Sequence, residues 1–124
     1  MIILLIALGG AVGSVSRYLL GGAVQRALHL DFPIGTFAVN VVGCLLIGVL
    51  AKYFLHSQTE LQAKATLMVG FCGGFTTFSA FSVETLGLIQ GGEWMKAVGY
   101  VVLSCVVGIG ATAIGFALAP SMNP

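Results

Sequence analysis

An all-α integral membrane protein with four transmembrane helices is the fold class this sequence predicts, and three observations carry it. First, 58% of the 124 residues are hydrophobic and only 7% are charged. A soluble domain carries about 25% charged residues, so this chain cannot cover itself with a water-compatible surface. Second, apolar runs long enough to cross a bilayer, about 20 residues each, recur four times. Third, the segments between them are short, which leaves no room for a soluble catalytic domain. The chain, residues 1–124, reads as a single four-helix transmembrane domain.

The first span runs from Ile2 to about Leu28 and contains Arg17 and Arg26. Its start, "MIILLIALGG", lacks a basic leader and reads as a helix and not a removable signal peptide. A break, "HLDFP", follows, and Pro33 suits the first turn of the next helix. The second span covers Ile34 to Leu55. The polar stretch "HSQTELQAK" leads to the third, from about Ala65 to Gln90. "GGEW" makes a tight turn into the fourth, from about Trp94 to Leu118. Tyr53 and Trp94 fall near span ends, where aromatic side chains anchor at the bilayer interface. Small residues spaced four apart predict close helix contacts: Gly9/Gly13, Gly70/Gly74 and Ser104/Gly108/Thr112.

Charge excludes some functions and suggests an assembly. A net charge of +1 gives no basic field for nucleic acid. Cys44, Cys72 and Cys105 all lie in apolar runs and read as packing residues. With four spans, Lys52 and Lys64 fall on one side of the membrane and Arg26 and Lys96 on the other. Lys/Arg bias sets orientation, and here it is balanced. Insertion in both orientations, and hence an antiparallel homodimer, is expected. In the alternative, one decisive charge orients every copy and the dimer is parallel or absent.

The stretch "GGFTTFSAFS", residues 73–82, is unusual within a span. Tandem Gly73 and Gly74 precede two β-branched threonines, which invites a helix break. A mid-membrane break frees backbone polar groups and is tolerated only within protein or beside a water cavity. Two readings are open. The glycines either make a packing kink or expose carbonyls, which in an antiparallel dimer would meet on the two-fold axis and cage one cation. Beyond the break, Phe75, Phe78 and Phe81 recur at every third residue, as do Ser79 and Ser82. On a resumed helix, Phe78, Phe81 and Ser82 share a face. Positive ring edges beside hydroxyls suit an anion without trapping it.

Other polar groups lie within the spans. Asn40 either donates to an anion or joins helices. Arg17 either stands at a pore mouth or snorkels to the interface. Glu84 is placed to cap a polar network or bind a proton, and Tyr100 and Ser104 share one helix face that continues a polar path. His29 and His56 fall in loops. No Ser-His-Asp set, HExxH or P-loop can be assembled, so an enzyme is not expected. Three readings follow: a passive anion channel, a proton-coupled exporter and a non-transporting assembly subunit. The exporter reading is weakened by a first span with Arg17 and no carboxylate.

"GGAVGSVSRY" (9–18), "GTFAVNVVG" (35–43) and above all "GFCGGFTTFSAFSVE" (70–84) resemble the CrcB/Fluc family of small bacterial fluoride channels. The resemblance spans essentially the whole chain. It implies a dual-topology antiparallel homodimer in the bacterial inner (cytoplasmic) membrane, two fluoride pores and a central structural Na+. It further implies that Phe78, Phe81 and Asn40 line the fluoride path, with Ser79, Tyr100 and Ser104 along it. By the same resemblance Arg17 is the vestibule arginine, Glu84 belongs to the polar network, and the backbone carbonyls of Gly73 and Thr76 hold the sodium. One departure stands out. Ala80 occupies the place of a threonine in the usual TTFSTF motif, so slower conduction with an intact fold is expected.

Overall fold

The computed structural model describes residues 1–55 and 61–119. His56 lies outside the described residues. Within them, α1 spans Ile2–Leu28 and α2 spans Ile34–Tyr53. The third crossing is composite. It begins as α3, Leu61–Lys64, continues as a π-helical segment, Ala65–Cys72, and closes with α4, Gly73–Phe75. Thr76 and Thr77 are extended, and α5, Phe78–Gln90, completes the crossing. The last helix, α6, spans Trp94–Leu118. Four helical stretches are therefore long and apolar enough to cross a membrane: Ile2–Leu28, Ile34–Tyr53, Leu61–Gln90 and Trp94–Leu118. The second is two residues shorter than expected and the third starts four residues earlier, because the polar turn Leu61–Lys64 is already helical.

The turns explain how the crossings are joined. His29 ends α1 in the left-handed conformation, with φ 48° and ψ 36°, and its N–H donates to the Gln25 carbonyl. The Gln25 side chain then clamps the connection. Its Nε2 donates to the carbonyls of Leu30 (2.8 Å) and Phe32 (3.0 Å), and its Oε1 accepts the Gly35 N–H (3.1 Å). A turn leaves backbone groups to satisfy, and one amide side chain satisfies three of them here. At the other hairpin, Gly92 takes φ 78°, a conformation open to glycine at no steric cost. Glu93 pairs there with Lys96 one turn later.

Two seams hold the bundle. One joins α2 to α6, the other joins α1 to the π-helical segment and α4. Both are built on glycine. A Cβ at Gly48 would land on the Thr112 carbonyl of α6, and one at Gly115 on the Leu45 carbonyl of α2. Across the other seam, a Cβ at Gly9 would meet the Thr66 carbonyl, at Gly13 the Phe71 carbonyl and at Gly74 the Gly10 carbonyl. Backbones touch where hydrophobic driving force is absent, which is how membrane helices gain dispersion contact. The expected Gly9/Gly13 and Gly70/Gly74 pairs face each other across this seam. Gly108 meets only the Cys44 thiol, at 3.5 Å. The outer surface is apolar, with Ile3, Tyr18, Val83 and Met95 all at least 70% exposed. At the end of the α2–α6 seam, the Lys52 ammonium sits 5.0 Å from the centre of the Phe116 ring.

Candidate ion pathway and cation site

The break in the third crossing organises the site. Sequence placed it within "GGFTT", residues 73–77, with the helix resuming at Phe78. The helix does resume there, but the preceding half stays helical through Phe75, so the opening is confined to Thr76–Thr77. The reason is packing. Gly74 is held in the helix against Gly10, and the Ser14 hydroxyl donates to the Gly74 carbonyl at 3.4 Å. Thr77 then starts the next helix as its cap, its Oγ1 accepting the Ala80 N–H at 3.1 Å.

All four backbone polar groups of Thr76 and Thr77 find partners. The Thr76 N–H donates to the Cys72 carbonyl (3.0 Å), which also accepts the Thr76 hydroxyl (2.9 Å). Arg17, from α1, donates through Nη1 to the Thr76 carbonyl at 3.1 Å. Asn40, from α2, does two jobs at once: its Oδ1 accepts the Thr77 N–H (2.8 Å) and its Nδ2 donates to the Thr77 carbonyl (3.1 Å). Asn40 is thus the helix-joining amide that one sequence reading anticipated, and one Nδ2 hydrogen remains. Arg17 turns inward to the break.

Two cavities flank this segment, and Thr77 lines both. The first, about 410 Å³, is bounded by Asn40, Gly73, Thr76, Phe78, Phe81 and Ser104. The Ser104 Oγ is buried there with no hydrogen-bond partner among the described residues. The second, about 650 Å³, is bounded by Arg17, Thr36, Ser79, Ala80 and Glu84. The mixed face expected of α5 is therefore divided. Phe78 and Phe81 line one cavity and Ser79 the other, while Ser82 turns its hydroxyl back to the Phe78 carbonyl at 2.8 Å. Ala80, the residue that departs from the usual motif, also lines the Arg17 cavity.

An aromatic row leads away from the break. Phe78 and Phe81 have centroids 5.5 Å apart, Phe81 and Tyr100 5.0 Å, and Tyr100 and Phe32 5.2 Å in a T-shaped contact. The Tyr100 ring is fully buried and its hydroxyl donates to Glu84 Oε2 at 2.7 Å. Thr36 donates to Glu84 Oε1 at 2.6 Å. Glu84 therefore caps a polar network between α2, α5 and α6. Thr36, Thr77 and Ser14 were not among the residues singled out in the sequence. The signal was there: Thr36 precedes Asn40 by four residues and Ser14 precedes Arg17 by three, so each pair shares a helix face.

Among the described residues no three His, Cys, Asp or Glu side chains are placed to hold a metal ion. A cation at the break would be held by backbone oxygens. The Gly73 and Thr76 carbonyls are hard oxygen donors, which suit a hard cation. The Thr76 oxygen already accepts from Arg17 and keeps one lone pair.

Four apolar crossings, one of them unwound at mid-length between two cavities, define a polytopic membrane protein. Residues 4–116 match the family model described as CrcB-like protein, Camphor Resistance (CrcB), and the chain belongs to that family. It is 46% identical to the fluoride-specific ion channel FluC 2 of Rhodococcus jostii, covering 95% of this chain and 98% of that one. It is 47% identical to the fluoride-specific ion channel FluC of Phocaeicola vulgatus (91% and 93% covered) and 46% to one from Thermus thermophilus (93% and 92%). These relatives are named as ion channels, a transport class and not an enzyme class.

Proposed function

We propose that this protein is a passive, fluoride-selective channel of the bacterial inner membrane that relieves fluoride toxicity. Two copies assemble antiparallel, enclosing two pores and one structural Na+ held by the Gly73 and Thr76 carbonyls of each copy. The observation that carries the anion reading is the unpartnered hydroxyl of Ser104, buried in a cavity walled by Phe78, Phe81 and Asn40. A buried hydroxyl without a partner loses about 1–3 kcal/mol. A passing anion would satisfy it.

Fluoride gives up its hydration at high cost. The residues present replace water without offering a strong trap: one hydroxyl, one remaining Asn40 hydrogen and two ring edges. Arg17 lies in the adjoining cavity, its guanidinium engaged by a carbonyl. There it raises local anion concentration without closing on the ion. Ser79, Glu84 and Tyr100 continue the polar route. A sodium ion, when bound, would neutralise carbonyl oxygens freed at the break. The assembly reading is supported by Gly73, where a Cβ would meet nothing within 4 Å. Among the described residues no neighbour demands that glycine, whereas close approach of a second backbone would.

Purified protein in liposomes tests the proposal. Fluoride efflux is expected without a proton gradient, with chloride excluded. Equal fluoride and chloride fluxes, or flux that follows the pH gradient, would overturn it.

A further inference from the structure

The break releases carbonyls in a specific way. In a continuous α-helix the Gly73 carbonyl accepts the Thr77 N–H, and the Thr76 carbonyl accepts the Ala80 N–H, each four residues on. Here both donors are diverted. Asn40 Oδ1 takes the Thr77 N–H at 2.8 Å, and Thr77 Oγ1 takes the Ala80 N–H at 3.1 Å. The two carbonyls that lose their helical donors to side chains are those of Gly73 and Thr76. Both residues line the same cavity.

We propose that Asn40 and Thr77 are positioning residues for the cation site: Asn40 releases the Gly73 carbonyl, and the Thr77 hydroxyl releases the Thr76 carbonyl. The inference rests on the cation reading above but not on fluoride conduction. It assigns the unwinding to two side chains, with glycine only permitting it. It also predicts that the break persists when no ion is bound. The Thr77 N–H is already satisfied by Asn40, so the segment does not wait for a cation to order it. Arg17 adds a restraint from the other side by holding the Thr76 oxygen. Without the Asn40 acceptor, the cheapest partner for the Thr77 N–H is the Gly73 carbonyl. The helix would then rewind over the site.

The test is sodium-dependent stabilisation of the full-length protein in detergent. The unfolding midpoint is followed as sodium replaces N-methylglucamine, beside hydrogen exchange at the Thr77 amide. Asn40→Leu is expected to raise the sodium concentration for half-maximal stabilisation at least tenfold. Asn40→Asp keeps the acceptor and should stay within about threefold of wild type or bind more tightly. Thr77→Val should behave like Asn40→Leu, and Thr77→Ser should restore binding. In wild type the Thr77 amide should exchange slowly with or without sodium. Unchanged sodium dependence in Asn40→Leu overturns the proposal. So does an Asn40→Asp protein as weak as Asn40→Leu, or a Thr77 amide protected only when sodium is present. Should Asn40→Leu not fold, the Asn40→Asp and Thr77 pair decide. Fluoride flux in a wild-type protein that sodium does not stabilise would overturn this inference alone. Sodium stabilisation without fluoride flux would overturn the channel reading and leave this one standing.

Discussion

Gly13 and Gly73 lie in the same bundle, yet they answer to different neighbours. At Gly13 a single added carbon would strike the Phe71 carbonyl and crowd the Phe75 nitrogen. At Gly73 the same carbon would meet nothing within 4 Å. The first glycine is explained by the chain's own packing, the second is not. Small residues in membrane helices permit close approach. The open space before Gly73 belongs to the cavity that Thr76, Phe78 and Ser104 also line. Phe78, 79% exposed beside the same cavity, belongs to this open side. The closed seam carries the fold, and the open side carries the function we propose.

Four substitutions probe that division, in descending order of effect. Gly13→Val should be the most damaging, at about 3 kcal/mol, because overpacking there pushes backbone against backbone. Detergent unfolding measures it, and a loss under about 1 kcal/mol would mean that α1 can slide. Phe78→Ile should leave unfolding unchanged but cut fluoride flux at least about tenfold, or about 1.4 kcal/mol in the barrier. Equal flux would remove the ring from the path. Gly73→Ala should not alter the fold of one chain, yet it should raise the dimer dissociation constant about tenfold, or about 1.4 kcal/mol. An unchanged dimer would return Gly73 to the role of a simple kink. Gly10→Ala is the control within the closed seam. Its Cβ would lie at an ordinary 3.7 Å from the Gly70 carbonyl, so the change should stay within about 0.5 kcal/mol.

Much of the fold was legible because hydropathy and length decide it. Ile2, Leu28, Trp94 and Leu118 bound the first and last helices where expected. The break was narrower than expected: within residues 73–77 only Thr76 and Thr77 leave the helix, which resumes at Phe78 as anticipated. Glycine marks where a helix can break, but side chains from other helices decide where it does. Gly74 is spent on contact with Gly10, and the opening moves to Thr76–Thr77, where Asn40 and Thr77 supply the replacement bonds. Asn40 lies 37 residues from its partner, a distance no local pattern conveys. Arg17 and Thr76 are 59 apart. The Glu84 network was half legible: Tyr100 and Glu84 stood out, and Thr36 did not. The division of Phe78 from Ser79 across two cavities follows from how α5 sits against α2 and α6, which periodicity alone does not give.

The π-helical segment has a consequence for how this gene can change length. Each of its backbone rings closes on the fifth residue instead of the fourth, so Ala65–Cys72 holds slack that an α-helix lacks. Deleting one residue there would let the segment tighten to α-winding with Leu61–Lys64 and Gly73–Phe75 keeping their phases. A deletion within α5 has no such outlet. It would turn everything beyond it by about 100° and carry Glu84 away from Tyr100 and Thr36. Length variation within the third crossing should therefore cost less on the side of the break that does not carry Phe78 and Phe81.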